Sequence, residues 1–241
     1  MSLKSIVMSN LLSVNSYLML IKTLKRRNGK GFYDVNMKYI FDFVSKNPVS
    51  FIQIGANDGK LNDPIYPFIV SNKWKGILVE PLPPLFEKLK QTYKNIDGLT
   101  FENVGIAEQD GTMDFYYLPP ECEEPDWLQQ IGTFDKKAIE LNLADLPEFL
   151  PKVTSTSVRT ISLKTLFERN NVKSIDFLII DAEGFEYKIL KQLESTAVRP
   201  KFIFFEWGCL QEDEYKNLID LLRREGYVLY QSGGDFLAIK K

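Results

Sequence analysis

Apolar residues along this chain fall into two kinds of run. Short unbroken runs at Phe51–Ile54, Gly76–Glu80, Ile175–Ile180 and Phe202–Phe205 have the length and continuity of strands buried on both faces. Between them, apolar residues recur three or four positions apart. Leu85, Phe86, Leu89 and Tyr93 do so within Pro84–Tyr93, and Phe185, Ile189, Leu190 and Leu193 within Phe185–Leu193. Leu218, Leu221 and Leu222 do so within Glu212–Glu225. That spacing gathers one apolar stripe on a helix. Asp63–Asn72 and Leu163–Arg169 read as further helices, and Pro64 and Pro67 confine the first to starting there. Leu99–Ile106 and Val158–Ile161 read as strands. Asp110-Gly111 is a hairpin signal ahead of the alternating run Thr112–Leu118. Tyr227–Tyr230 and Phe236–Ile239 read as a closing hairpin around Ser232-Gly233-Gly234-Asp235.

Strands alternating with helices predict an α/β fold: a mostly parallel sheet, helices on both faces, and an antiparallel C-terminal hairpin at one edge. Ligands of such sheets bind beyond the carboxyl ends of the strands, near the topological switch point. Pro119–Ser157 breaks the rhythm, being rich in proline and acid, and a connection of that length predicts a lid or a binding insertion. Near the start, Ile6–Ile21 reads as an amphipathic helix followed by Lys22, Lys25, Arg26 and Arg27. A signal peptide has the opposite order, and no run of apolar residues is long enough for a transmembrane helix. The expected organisation is a helical extension over 1–48 and one domain over 49–241 with an insertion over 119–157. The extension is expected to pack on the domain or on a second copy in a homo-oligomer. Peripheral contact with an anionic membrane surface is the alternative.

Composition narrows the chemistry. Hydrophobic residues make up 44% and charged residues 26%, as in ordinary globular domains. Lys and Arg total 30 against 32 Asp and Glu, so bulk charge does not hold a nucleic acid. There is no histidine, and the two cysteines, Cys122 and Cys209, stand far apart. Zinc sites built on Cys and His are excluded, as is every mechanism with a histidine base. Acid–base work falls to Asp, Glu, Lys, Tyr or Cys. The sparse cysteines fit a reducing, cytoplasmic setting.

The strand ends carry the candidate chemistry. After the first strand comes Gly55-Ala56-Asn57-Asp58-Gly59-Lys60. A glycine at position 55 lets a ligand approach the backbone. The dinucleotide pattern G-x-G-x-x-G is not met, because Asn57 and Lys60 stand at its second and third glycine positions. Glu80 ends the second strand, where a carboxylate accepts hydrogen bonds from both ribose hydroxyls. Together Gly55 and Glu80 point to an adenosine-type ligand, and Ile106 offers an apolar face for its base. After Ile175–Ile180 comes Asp181-Ala182-Glu183-Gly184-Phe185-Glu186, three carboxylates in six residues. Their mutual repulsion raises their pKa values or demands a cation. Glu206 and Trp207 follow the next strand.

The motifs IGANDGK, ILVEPLPP, NVGIAEQDG and IDFLIIDAEGFEYKIL together resemble the FkbM family of S-adenosylmethionine-dependent methyltransferases. The resemblance spans roughly Phe51 to Ile239. It implies a Rossmann-like class I methyltransferase sheet of seven strands with the last antiparallel, and O-methylation of a hydroxyl on a sugar, glycan or secondary metabolite. Gly55, Asn57 and Gly59 would then line the methionine side of the cofactor, Glu80 would hold the ribose and Ile106 would lie near adenine. Gln53 stands where related sequences often have an acidic residue.

A hydroxyl is a weak nucleophile, so a general base helps. Asp181 or Glu183 is the first choice and Lys60 the second. A metal-free site is expected. The alternative is magnesium held by Asp181 and Glu206. Trp127, Phe134 and Tyr117 are candidates to contact the acceptor. The rival readings are a non-catalytic binding or scaffold domain of the same fold and an NAD-dependent oxidoreductase. An amine acceptor is the alternative within the methyltransferase reading.

Overall fold

A computed structural model describes residues 33–34, 49–72, 74–122, 126–232 and 234–241. The expected helix at Ile6–Ile21, its basic cluster and most of the 1–48 extension lie outside these residues.

The main sheet is built from β1 (Tyr33–Asp34), β2 (Ser50–Ile54), β3 (Lys75–Val79), β4 (Leu99–Glu102), β8 (Phe177–Ile180), β9 (Phe202–Glu206), β10 (Tyr227–Ser232) and β11 (Asp235–Lys240). Its order is β1-β10-β11-β9-β8-β2-β3-β4. β11 runs antiparallel to both neighbours, and the other pairings are parallel. This is the expected seven-stranded sheet with its last strand reversed, and the two-residue β1 adds to one edge. The chain leaves β2 to build β3 on one side and returns to place β8 on the other. The switch point therefore lies between the ends of β2 and β8, where Ile54 pairs with both Val79 and Ile180.

The continuous apolar runs are central because both of their faces are covered. One face of the sheet, with Ile52, Ile54, Leu178, Ile180 and Ile203, packs on α4 (Leu163–Arg169), α5 (Glu186–Leu190) and α6 (Glu212–Arg224). The other, with Phe51, Phe177, Ile179 and Phe202, packs on α1 (Tyr66–Asn72) and α2 (Pro83–Thr92). α2 opens on two prolines, which lack the N–H that a first helical turn leaves unpaired. α1 starts at Tyr66, later than the sequence spacing predicts. Asp63 remains outside the helix and accepts from the backbone N–H of Ile65 (2.7 Å) and Tyr66 (3.1 Å).

Three local expectations need correction. Leu99–Ile106 is not one strand. It breaks at Asn103, and its end, β5 (Gly105–Ile106), joins a second sheet with β6 (Gly111–Tyr117) and β7 (Thr154–Ile161) in the order β5-β7-β6. Val158–Ile161 is the buried end of β7 (Thr154–Ile161) in that second sheet, and the polar first half of β7 hid its length. Asp110-Gly111 precedes β6 (Gly111–Tyr117) but closes no hairpin, because β7 lies between β5 and β6. Strand pairing is decided by which surface buries the apolar alternation, and a turn dipeptide does not report that.

The segment 119–157 packs a small core of its own. Leu118, Cys122, Leu128, Ile131, Ile139 and Leu143 are buried together beside α3 (Lys136–Asn142). Its last residues belong to β7.

Candidate functional site

At the switch point the ends of β2, β3 and β8 open into a concave, partly enclosed cavity, the kind of place where open α/β sheets bind small molecules. Gly55, Asn57, Glu80, Ile106 and Asp181 all line it. Gly55 has φ +80°, and a Cβ there would lie 1.7 Å from the Asp181 carbonyl oxygen. Only glycine lets the two strand ends meet this closely. Asn57 has φ +48°, a conformation that asparagine tolerates better than most residues.

Glu80 is 4% exposed. One carboxylate oxygen accepts from the Asn57 N–H (2.9 Å) and the other from the Leu82 N–H (2.9 Å). Burial pushes its pKa up to about 7, against those two bonds, and the charge of Asp181 adds to the rise. Ile106 sits with Val104, Phe115 and Phe134 as the apolar wall. A Cβ on Gly105 would meet the Phe134 ring at 2.2 Å, so this glycine is what lets Phe134 close the wall.

The insertion roofs the cavity. The Asn57 side chain donates to the Gln129 carbonyl (3.3 Å), Asn62 donates to Gln130 Oε1 (2.8 Å), and Gln130 Nε2 donates to the Leu61 carbonyl (2.6 Å). Gln129, Gln130 and Phe134 thus face the ligand space from residues 119–157. Of the three aromatic candidates, Phe134 lines the cavity. Trp127 packs in the core of the insertion, and Tyr117 packs beside Leu82, Phe115 and Val158.

The acids after β8 divide. Asp181 lines the cavity and is exposed there. The surrounding protein, with the charges of Asp235 and Asp63, raises its pKa to about 6. Glu183 is outside the lining. Its backbone is left-handed (φ +48°), and its carboxylate accepts from the Asn142 amide (2.7 Å) and the Cys209 thiol (3.4 Å). Burial first, then Asp181, lifts its pKa to about 8. Glu186 is 1% exposed and accepts from the N–H groups of Ala182 (2.8 Å) and Gly184 (3.0 Å), so it holds the loop together. Burial raises Glu186 and Glu206 to about 8 as well.

Glu206 groups with Glu183 and Cys209, with ligand atoms within 4.8 Å of one another. Burial and the neighbouring carboxylates push the Cys209 thiol up, so without a bound cation it is protonated. Two other candidates are placed apart from the cavity. Gly59 (φ +72°) faces Leu89 and Tyr93, and its carbonyl accepts from the Tyr93 hydroxyl (2.8 Å). Lys60 is exposed and does not line the cavity. Sequence reasoning passed over Asp63, Gln129 and Gln130. Asp63 carried the faint signal of an acid just ahead of a helix.

Residues 53–229 match the family profile described as "Methyltransferase FkbM domain". No curated protein matches the sequence significantly. Several solved structures are similar at low identity. A methyltransferase FkbM from Methylobacillus flagellatus KT is 11% identical with a TM-score of 0.47, over 80% of this chain and 43% of that one. The chain therefore spans less than half the length of that protein. The N-terminal domain of human METTL16 is 14% identical with a TM-score of 0.42, over 95% of this chain and 71% of that one. A human methyltransferase 10 domain containing protein is 13% identical with a TM-score of 0.40, over 85% and 80%.

Proposed function

The chain belongs to the FkbM methyltransferase family, and from that premise we propose that it transfers a methyl group from S-adenosylmethionine to a hydroxyl of a sugar, glycan or secondary metabolite. The observation that carries the cofactor reading is Glu80. Its two oxygens are oriented by one backbone N–H each and keep further lone pairs open beside the cavity. That arrangement suits the paired hydroxyls of a ribose. The wall of Ile106, Val104 and Phe134 suits an adenine face, and Gly55 leaves room for the chain that joins them.

When bound, the cofactor supplies a methyl group on positively charged sulfur that needs no further activation. The protein has to align the acceptor and take its proton. Asp181 is the residue favoured for that work. It lines the cavity, whereas Glu183 lies outside the lining and its carboxylate is taken up by the Asn142 amide and the Cys209 thiol. Phe134 and the two glutamines of the insertion would face the acceptor. Magnesium held by Asp181 and Glu206 is not the favoured reading, because Glu206 lies outside the cavity lining that contains Asp181.

Calorimetric titration with S-adenosylmethionine and S-adenosylhomocysteine, with NAD as control, tests the reading. Saturable binding of the first two and not of NAD is expected. A folded protein that binds neither overturns the cofactor assignment and leaves a scaffold domain. Methylation of amines and not of hydroxyls in an acceptor screen would replace the oxygen acceptor by nitrogen.

A further inference from the structure

The roof over the cavity is held differently along its two margins. One margin is packed and buried. Phe134 lies against Phe115 and Phe185, with ring centroids 4.9 and 5.3 Å away, and the buried Thr133 donates its hydroxyl to the Glu183 carbonyl (2.7 Å). Thr133 also pairs with Tyr116 of β6 through its N–H (2.9 Å) and its carbonyl (2.8 Å). The other margin is a polar seam. There Gln129 and Gln130 meet the loop after β2 through three hydrogen bonds, Asn57 to the Gln129 carbonyl, Asn62 to Gln130 Oε1 and Gln130 Nε2 to the Leu61 carbonyl. The apolar cores on its two sides are separate. Leu128 and Ile131, which flank the glutamines, belong to the core of the insertion, whereas Ala56 and Ile65, at either end of the loop, belong to the core between the sheet, α1 and α2. Gln129 Nε2 donates to the carbonyls of Pro119 (3.2 Å) and Cys122 (2.9 Å), which ties the seam side of the insertion into one piece.

Opening the packed margin would expose aromatic surface. Opening the seam only exchanges hydrogen bonds to protein for hydrogen bonds to water, at a small net cost. Asn62 is already exposed. Glu80 and Ile106 are 4% and 1% exposed, so a ligand that reaches both lies beneath the roof. We propose that the insertion is a hinged lid. Gln129 and Gln130 unlatch from Asn57, Leu61 and Asn62 while the Thr133–Phe134 margin stays packed, and the cofactor enters and leaves through the opened seam. Asn57 joins latch to site, because its backbone N–H donates to Glu80 and its side chain to the Gln129 carbonyl. The proposal rests on the cofactor reading above. Weakening the latch favours the open form of the free and of the loaded protein alike, so entry and exit quicken together while equilibrium affinity holds.

The test is the exchange of S-adenosylhomocysteine in wild type, Asn62→Gly and Gln130→Ala. Dissociation is followed by chasing the radiolabelled ligand with an unlabelled excess, Kd is measured by calorimetry, and the two together give the association rate. Glycine suits the left-handed backbone at position 62 (φ +54°), so Asn62→Gly removes one latch bond without strain. Gln130→Ala removes two. Dissociation is expected to quicken by about threefold to tenfold in Asn62→Gly and by about tenfold or more in Gln130→Ala, with association quickened by the same factors and Kd within about twofold of wild type. Unchanged dissociation in both variants overturns the lid and leaves the roof a fixed wall. Dissociation that quickens without association, so that Kd rises in step, also overturns it and makes the two side chains ligand contacts. Wild-type protein that binds no S-adenosylhomocysteine overturns the cofactor reading and the lid with it, an outcome distinct from the other two. Asn62→Gly changes only an exposed side chain, so it decides the matter if Gln130→Ala does not fold.

Discussion

Glu80 and Glu183 are two glutamates close to strand ends, a few residues from the same switch point, and burial raises both. They differ in what holds them. Glu80 receives two backbone N–H groups from segments that the sheet itself fixes, and its pKa stops at about 7. Glu183 receives a side-chain amide and a thiol, with the Asp181 charge as its second largest influence, and rises to about 8. Burial lifts both; for Glu80 two backbone N–H groups oppose it inside the ligand space, whereas for Glu183 the Asp181 charge adds to it outside. Proximity to a strand end does not make an acid functional. Its donors and its facing do.

The comparison breaks most readily at Asp181, the acid between the two. Asp181→Asn is expected to lower turnover by about 10²–10⁴-fold, the usual worth of a general base, with S-adenosylhomocysteine affinity nearly unchanged. Equal loss in Glu183→Gln would move the base to the rim. Turnover should also rise with pH through about 6, as Asp181 ionises, and a pH–rate profile flat from 5 to 8 would remove it as the base.

The next largest effect is expected at Glu80. Glu80→Ala should weaken cofactor binding by about 10–100-fold, since hydrogen bonds to a charged group contribute about 1.5–3 kcal/mol. Affinity within twofold of wild type in a calorimetric titration would end the ribose assignment.

Glu186 sharpens the comparison from the structural side. Glu186→Ala leaves the buried N–H groups of Ala182 and Gly184 without an acceptor, at about 1–3 kcal/mol each. A melting temperature lower by about 4 °C or more is expected for a domain of this size. An unchanged melting temperature would show that the loop after β8 holds itself.

The smallest effect concerns the rim. Folded Glu183, Glu186 and Glu206 sit near 8 against an ordinary 4.5. The native state therefore binds more protons than the unfolded one between those values, and stability falls as pH rises from about 4.5 to 8. Glu183→Gln should flatten that fall in melting scans and change turnover by less than about threefold. A slope identical to wild type would show that Glu183 does not titrate with the fold.

Much of this was legible along the chain. The central strands declared themselves because burial on both faces demands unbroken apolar runs, and Gly55, Glu80, Ile106 and Asp181 were readable because strand ends are where a parallel sheet binds. The second sheet was not readable. The Ser and Thr residues that open β7 resemble a loop until β6 pairs with them. Gly59 and Lys60 shared a motif with Gly55, but the turn carries Gly59 toward α2 and leaves Lys60 in solvent.

What the sequence determined by itself was the sheet, its helices, the family and the loops that meet at the switch point, because hydrophobic period and local turn chemistry are properties of neighbours in the chain. Only the tertiary structure decided which of the acids share a cavity and which are sealed by backbone donors. Those outcomes depend on desolvation and on donors supplied by residues distant in the chain, as with Asn142 and Cys209 for Glu183. No pattern of near neighbours encodes them.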